Sequence, residues 1–283
     1  MVAEAVTRYR KEGNKIKSEQ IKKVTAFIGT PRKHATYQGV QEFEENLKLI
    51  AKEKIDFEYV FLNDYTLKNC IGCKSCFDKG EEFCPLKDDR DVLLEKMNHS
   101  DGIIFATPNY AFQVTALMKN FLDRISFILH RPHFFGKVST AIVAQGIFGG
   151  ASIVKYLGFV GGRLGFDVAK GCYLTALEPR TKLEQKKITR KITKAARRFY
   201  KDLYRPKLPT PSFFKLMLFR INRTSIQGIL NEQYRDYQYF KEKGWFDSDY
   251  YYDVSLGVIK KSAGHFFNFL GKWISKGRKP ELC

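Results

Sequence analysis

The chain has 283 residues, of which 44% are hydrophobic, and its formal net charge is +19. This length suits one large domain or one domain with an appendage, and the hydrophobic fraction is enough to form a sizeable core. The sequence has no run of about 18 or more apolar residues, which argues against a membrane-spanning helix. The high positive charge favours negatively charged partners such as nucleic acid, anionic lipid, acidic proteins or phosphorylated molecules.

The N-terminal segment is polar and basic, and we interpret residues 1–20 as a charged leader. It lacks the apolar segment of a signal peptide, so we predict that the protein is cytoplasmic. Cysteines stay reduced in that compartment. A compact group of cysteines therefore indicates metal binding or catalysis and not disulfide bonds.

From residue 21 onward, short apolar runs alternate with segments whose apolar residues recur at helical spacing. The runs predict five strands, at residues 24–28, 57–62, 102–106, 138–144 and 167–173. The periodic segments predict helices at residues 38–51, 116–129 and 151–163. Strands that alternate with helices form a parallel sheet covered on both faces. We therefore predict an α/β domain over residues 21–180, built on a doubly wound, five-stranded parallel sheet.

A second region, residues 181–283, is basic and rich in aromatic residues, and we predict that it is a helical C-terminal extension. Residues 182–207 contain eleven Lys or Arg and two acidic side chains, with the apolar spacing of a long amphipathic helix. Residues 258–276 place apolar side chains near one face and lysines largely elsewhere. This pattern fits docking on the sheet domain, a subunit interface, or peripheral contact with an anionic membrane.

Ligands of open parallel α/β sheets bind beyond the carboxyl ends of the strands. The first such end, residues 29–36, combines a glycine, hydroxyls, cations and the start of a helix, which together favour a phosphate group. Its candidate ligands are Thr30, Arg32, Lys33 and Thr36. An ordinary strand-to-helix turn is the alternative, since the loop matches neither the Walker A nor the dinucleotide pattern.

Two further strand ends are candidates for contact with a planar ring. The segment after the third strand offers backbone amides and aromatic side chains, and its candidates are Pro108, Asn109, Tyr110 and Phe112. The segment after the fourth strand is rich in glycine, which allows the main chain to approach a flat ligand closely. Its candidates are Gln145, Gly146, Gly149 and Gly150.

Four cysteines lie between the second and third predicted strands with the spacing C-x2-C-x2-C-x7-C, at Cys70, Cys73, Cys76 and Cys84. Tight spacings followed by a Cys-Pro pair are typical of cysteines that hold a [4Fe–4S] cluster. Zinc is an alternative, although its sites usually come as two separated C-x2-C pairs. A third possibility is that the thiols bind no metal. Cys172 lies in a predicted strand and Cys283 at the end, and we expect neither to bind metal.

These motifs, taken in chain order, resemble those of the iron–sulfur flavoprotein family, within the flavodoxin-like NAD(P)H-dependent FMN reductases. The resemblance covers residues 22–180. It is carried by Gly29-Thr30-Pro31-Arg32, the cysteine motif, Asp88-Asp89, Pro108-Asn109-Tyr110, and the segment from Lys119 to Asp123-Arg124. One such motif has little weight alone, whereas five in this order are a specific signature.

The resemblance implies a flavodoxin-like fold that binds FMN, with the phosphate at residues 29–36 and the isoalloxazine ring against 108–112 and 145–150. It also implies that the four clustered cysteines ligate [4Fe–4S]. Such proteins pass electrons between a donor (ferredoxin or NAD(P)H), the cluster, the flavin and a small acceptor, and they are often homodimers or homotetramers. Because the flavin carries the redox chemistry, we assign no side chain as a catalytic acid or base.

Two other functions stay open at this point. One is an NAD(P)H-dependent FMN or quinone reductase that has no cluster. The other is a basic nucleic-acid-binding protein with a structural zinc site, which the +19 charge favours. We consider nucleic acid the weaker alternative because no recognised nucleic-acid-binding fold is present.

Overall fold

The computed structural model describes residues 21–278 and contains one parallel sheet. Its strands are β1 (Lys22–Ile28), β2 (Ile55–Phe61), β3 (Gly102–Pro108), β4 (Val138–Gln145), β5 (Asp167–Val168) and β6 (Cys172–Thr175). The strand order is β2-β1-β3-β4-β5, and β6 also pairs with β4. This order is the flavodoxin-like one, which confirms the predicted fold class.

The fifth position of the sheet is occupied by two short strands, whereas the sequence predicted one strand over residues 167–173. Strands β5 and β6 each pair with β4, at Val138–Ser139 and at Ile142–Gln145 respectively. Gly171 lies between them, and a Cβ atom there would overlap the main chain of Ala141. The chain therefore crosses very close to β4 at a point where only glycine fits, and this interrupts the ladder.

Nine helices are present in the described residues, together with three short 3-10 turns. The helices are α1 (Ala35–Ile50), α2 (Ser75–Asp78), α3 (Arg90–Asn98), α4 (Ala116–Arg124), α5 (Gly150–Leu164), α6 (Lys182–Leu203), α7 (Phe213–Ile229), α8 (Arg235–Glu242) and α9 (Val258–Ser275). The 3-10 turns are Leu62–Asp64, Glu81–Phe83 and Ser126–Leu129. Helices α1 to α5 connect the strands. Helices α1, α4 and α5 correspond to the three predicted helices, whereas α2 and α3 were not predicted.

Each face of the sheet has its own buried core, because successive side chains of a strand point to opposite faces. One core joins Phe27 of β1 to residues of α3, α4 and α5. The other joins Val24 and Ala26 to residues of α1 and α6, where the rings of Phe43 and Phe199 lie 5.5 Å apart. Helix α6 thus packs within the core of the sheet, although it follows residue 180, where the extension was predicted to begin.

The last three helices form a third core that is rich in aromatic side chains. It contains Phe219, Phe240 and Trp245, and Phe135 from the sheet domain stacks on Tyr251 with ring centroids 5.1 Å apart. No helix in the described residues is both long enough and apolar enough to span a membrane. The predicted leader at residues 1–20 and the terminal Cys283 lie outside the described residues.

Candidate functional site

The loop after β1 leads directly into helix α1 and leaves room for an anion at the helix start. A Cβ atom at Gly29 would lie 2.8 Å from the Cβ of Met118, so glycine is required there. Thr115 Oγ1 fixes this turn by donating a 2.6 Å hydrogen bond to the carbonyl of Gly29. His34 precedes α1, and no described side chain caps the helix. The first N–H groups of α1 are therefore available to a negatively charged ligand.

Asn109 connects the loop after β3 to the loop after β4. Its main-chain N–H donates to the carbonyl of Ala144 at 2.7 Å, and its Nδ2 donates to the carbonyl of Phe148 at 2.9 Å. A Cβ atom at Gly149, whose φ is +98°, would lie 2.8 Å from Asn109 Nδ2. Asn109 Oδ1 is buried and accepts no hydrogen bond from the described residues. This oxygen is an acceptor without a donor, next to the space between the loops.

Gln145 organises the glycine-rich loop with its side chain. Its Nε2 donates to the carbonyl of Ile147 at 2.8 Å and to Thr175 Oγ1 at 3.2 Å, while its Oε1 accepts from the N–H of Gly150 at 2.6 Å. A Cβ atom at Gly150 would crowd the same oxygen at 2.5 Å. The Gln145 amide therefore holds the start of α5 in place.

The three loops enclose a cavity of about 420 Å³ at the carboxyl edge of the sheet. Eight of the twelve predicted cofactor-binding residues line it, namely Thr30, Arg32, Thr36, Pro108, Asn109, Tyr110, Gln145 and Gly146. Gln38, Ala176 and Glu178 also line the cavity and were not predicted from the sequence. The signal for Ala176 and Glu178 was available, because they follow β6 and thus also lie at the carboxyl end of a strand.

The other four predicted residues do not line the cavity. Lys33 extends over the ring of Phe61, with its Nζ 5.6 Å from the ring centroid. Phe112 stacks on Phe148 at 5.3 Å, and both rings are exposed. Gly149 and Gly150 shape the loop and the start of α5, as described above.

The segment that contains Cys70, Cys73, Cys76 and Cys84, here called the cysteine loop, follows β2. It therefore leaves the sheet at the same edge as the cavity loops. Cys70 and Cys73 are exposed, while Cys76 and Cys84 are half-buried. Burial, together with the charges of Cys84, Cys70 and Cys73, raises the pKa of Cys76 to about 11, and Arg131 opposes this shift. In the described part of the chain, no three His, Cys, Asp or Glu side chains are gathered closely enough to hold a metal ion.

Arg124 of α4 holds one end of the cysteine loop. Its side chain is buried and forms an ion pair with the buried carboxylate of Asp88. It also donates to the carbonyl of Lys68 at 2.8 Å and lies 3.9 Å from the sulfur of Cys84. Burial raises the pKa of Asp88, but hydrogen bonds from Arg124 and from the N–H groups of Lys68 and Arg90 outweigh it, so the pKa is lowered. The carboxylate therefore stays charged at neutral pH.

Arg131 holds the other end of the loop and connects it to the C-terminal extension. Its buried guanidinium donates to the carbonyl of Cys76 at 2.7 Å and to Glu81 at 3.0 Å. The same group pairs with Asp236 of α8, which also lies 2.7 Å from Nδ1 of His130. Helix α8 thus contacts the cysteine loop through a charged group. This contact was not predicted from the sequence, because Arg131 and Asp236 are 105 positions apart.

Cys172 lies apart from this loop, in the sheet core between β6 and α6. Its side chain is buried, and burial raises the pKa of its thiol to about 12. Cys172 thus contributes to the packing of the sheet core.

The sequence pattern of the NADPH-dependent FMN reductase family matches residues 22–176, which span the sheet and all three cavity loops. The chain belongs to this family. As a member of it, the protein is a flavin-dependent oxidoreductase of the FMN-binding type. The family assignment also agrees with the resemblance on which the sequence analysis relied.

Several relatives of this chain are iron–sulfur flavoproteins, and another, from Bacillus subtilis, is named as an NAD(P)H-dependent FMN-containing oxidoreductase. One from Archaeoglobus fulgidus is 30% identical over 233 residues, which cover 79% of this chain and 99% of that protein. One from Methanocaldococcus jannaschii is 39% identical over 102 residues, which cover 36% of this chain and only 51% of that protein. The match therefore extends over nearly the whole length of the Archaeoglobus protein and over about half the length of the Methanocaldococcus protein.

Among solved structures, RosB with bound 8-demethyl-8-formylriboflavin-5'-phosphate is similar over 84% of this chain and 92% of its own, with a TM-score of 0.51. An oxidoreductase from Corynebacterium diphtheriae covers 65% of this chain and 97% of its own, with a TM-score of 0.50. The sequence identities are 16% and 15%. At this level the similarity supports the fold of this FMN reductase family member.

Proposed function

We propose that this protein passes electrons between a donor, a [4Fe–4S] cluster and FMN to a small acceptor. One observation carries the proposal. The three cavity loops follow β1, β3 and β4, the cysteine loop follows β2, and all four strands are parallel. Parallel strands end at one edge of a sheet, so this topology brings a flavin cavity and a four-cysteine loop to the same edge.

The residues around the cavity fit the chemical groups of FMN. The free N–H groups at the start of α1 and the cation of Arg32 suit the phosphate. Asn109 Oδ1, which is buried and has no donor in the described residues, suits an N–H group of the flavin ring. Bound FMN would supply the electron transfer. The residues that line the cavity would bind the phosphate, orient the ring and keep water away from it.

The cysteine loop fits a cluster by its donor set and its surroundings. Four thiols within fifteen positions suit either an iron–sulfur cluster or zinc. The buried cations of Arg124 and Arg131 lie beside Cys84 and Cys76 and would balance the negative charge of a cysteine-ligated cluster. Cys70 and Cys73 are exposed, so the proposal requires them to move toward the other two sulfurs. Cys70, Cys73, Cys76 and Cys84 would then be the ligands.

The proposal can be tested on protein purified without oxygen. We expect one FMN and about four irons per chain, with broad absorbance beyond the flavin bands. Cys84→Ser should lose the iron and keep the FMN. Cys172→Ala, which changes a buried thiol outside the loop, should keep both. Zinc in place of iron would contradict the cluster, and a colourless protein would contradict the flavin site as well.

A second candidate function is an NAD(P)H-dependent FMN or quinone reductase without a cluster. It is favoured by the exposure of Cys70 and Cys73 and by the lack of a gathered metal-ligand group in the described residues. The two functions differ in how activity depends on iron. If FMN-loaded, iron-free protein reduces a quinone with NADPH as fast as the iron-loaded protein does, the second function replaces the first.

The proposal also covers the electron donor and the number of chains in the assembled protein. We expect ferredoxin or NAD(P)H to supply the electrons, and a homodimer or homotetramer to form. Anaerobic stopped-flow mixing with each donor would identify the one that reduces the flavin. Sedimentation velocity of the FMN-loaded protein would determine the number of chains, and a monomer at all concentrations would contradict the assembly.

A further inference from the structure

The two long helices of the extension pack against each other through small residues. A Cβ atom at Gly271 of α9 would overlap Thr224 of α7, and a Cβ atom at Gly228 of α7 would lie 2.6 Å from Ser275 Oγ of α9. The face of α9 that meets α7 therefore carries its smallest side chains. Phe267 of α9 packs against the third core, whereas five other large apolar side chains of the helix are exposed.

Those large side chains form an exposed surface. Each of the five on α9 keeps between 57% and 81% of its area accessible, and two more lie at the start of α7. We call this group the C-terminal apolar surface: Phe213, Phe214, Val258, Ile259, Phe266, Phe269 and Trp273. At 3.6 residues per turn, the five positions on α9 fall within an arc of about 100°, opposite the small residues. They thus form one stripe, parallel to the helix axis.

The charged side chains of α7 and α9 themselves are all positive. Neither α7 nor α9 contains Asp or Glu. Lys261 and Lys272 flank the stripe on one side of α9, and Lys276 lies at its C-terminal end. Across residues 21–278, none of these lysines forms an ion pair with a carboxylate. An occupant of the surface must therefore supply both apolar contacts and negative charge.

A second copy of the chain does not meet that requirement. In a twofold contact through this surface the lysines of both copies would come together, with no acid on either helix to separate them. An anionic bilayer meets it, because its headgroups are negative and the acyl boundary accepts aromatic side chains. Tryptophan is enriched at that boundary. No described helix can cross the bilayer, so contact would be made from its surface.

We propose that the C-terminal apolar surface lies on an anionic membrane, with Phe269 and Trp273 inserted at the headgroup boundary and Lys261 and Lys272 at the phosphates. The proposal is independent of the cluster and goes beyond the proposed redox function. It assigns α9 as a peripheral membrane anchor for a flavin enzyme.

The FMN-loaded protein can be tested by co-sedimentation with vesicles. We expect binding to vesicles of phosphatidylcholine mixed with phosphatidylglycerol and none to phosphatidylcholine alone, with release as salt is raised. Tryptophan fluorescence gives a second readout, because the chain has two tryptophans and Trp245 is buried while Trp273 is exposed. A blue shift on binding that disappears in Trp273→Phe would support insertion.

Matched variants separate the apolar contribution to membrane binding from the electrostatic contribution. The double variant Phe269→Ser, Trp273→Ser should weaken binding at least about tenfold, and Lys261→Gln, Lys272→Gln should weaken it and reduce its salt dependence. Leu49→Ser, which alters an even more exposed apolar side chain on α1, should have no effect. All changed side chains are exposed, so FMN content should stay constant.

Two results would overturn the proposal. One is the absence of co-sedimentation with anionic vesicles at low salt. The other is an oligomer that dissociates in the Phe269→Ser, Trp273→Ser variant, which would show that the surface is covered by a second copy.

Discussion

The flavin cavity and the cysteine loop leave the sheet at the same edge, but different contacts hold them. Around the cavity, contacts are made to the main chain next to strand ends, such as those of Thr115 with Gly29 and of Gln145 with Gly150. The cysteine loop is held mainly by two buried guanidinium groups, of Arg124 and Arg131. Single side-chain changes should therefore leave the cavity formed but release the loop.

Among the single substitutions, Arg124→Ala is expected to have the largest effect on stability and on the iron content of the loop. It would leave the buried carboxylate of Asp88 without its cation and remove the hydrogen bond to the carbonyl of Lys68. Loss of one partner of a buried ion pair typically costs about 3–5 kcal/mol. Urea unfolding should show this loss, and iron analysis should show an empty loop. Acid should reproduce part of this loss of unfolding free energy. Because the pKa of Asp88 is lowered in the folded protein, its charge stabilises the fold above about pH 4, and this stabilisation is lost as the pH falls further.

The matched control for Arg124→Ala is Lys119→Ala on the same helix. Lys119 pairs with Asp123 at 2.5 Å, but both side chains are exposed. Exposed pairs contribute about 0–1 kcal/mol. Equal losses of unfolding free energy in the two variants would show that Arg124 has no special role in holding the loop.

A smaller effect is expected from Asp236→Asn, which removes the charge that α8 places on Arg131. Arg131 would keep its contacts with Glu81 and the carbonyl of Cys76, so we expect a loss of about 1–3 kcal/mol. Hydrogen exchange should become faster for the amides of residues 75–83. Glu242→Gln changes an exposed pair on the same helix and should leave those amides unchanged. Unchanged exchange in Asp236→Asn would mean that the extension does not hold the loop.

The contrast between the cavity and the cysteine loop also explains how much of the structure could be predicted from the sequence. The strands, three of the helices around the sheet and eight of the cavity residues follow from patterns a few residues long, such as Thr30 and Arg32 directly after an apolar run. The split of the fifth strand depends on how closely Gly171 approaches β4, and this is a tertiary property. The position of α6 in the sheet core was likewise set by packing against α1, which composition does not record.

The pairings that hold the cysteine loop could not be predicted from the sequence. Arg124 and Asp88 both lie in motifs that carry the family resemblance, but they are 36 positions apart and nothing in the sequence indicates that they pair. The pairing of Arg131 with Asp236 joins regions that were predicted to be separate domains. Charged partners have no periodicity that would reveal their pairing, whereas apolar residues on one face of a helix do.

On the cavity side, we expect about a tenfold loss of FMN affinity in Arg32→Gln, which corresponds to about 1.4 kcal/mol. Arg32 lines the cavity, and its cation would contact the phosphate. Lys33→Gln is the control, because Lys33 extends over the ring of Phe61. Titration with riboflavin, which has no phosphate, should show no difference between wild type and Arg32→Gln. Equal losses for FMN in both variants would contradict the assignment of Arg32.

The smallest effect on stability is expected from alkylation of the metal-free protein with iodoacetamide. Cys70 and Cys73 are exposed and should react first, whereas Cys172 is buried, with a pKa of about 12, and should not react at neutral pH. Mass spectrometry of peptides gives the order in which the cysteines are labelled. Because Arg124 and Arg131 hold the loop through carbonyls and carboxylates, labelling at Cys70 and Cys73 should leave FMN bound and the unfolding midpoint unchanged. Release of FMN on labelling would show that the two regions depend on each other more than their separate contacts indicate.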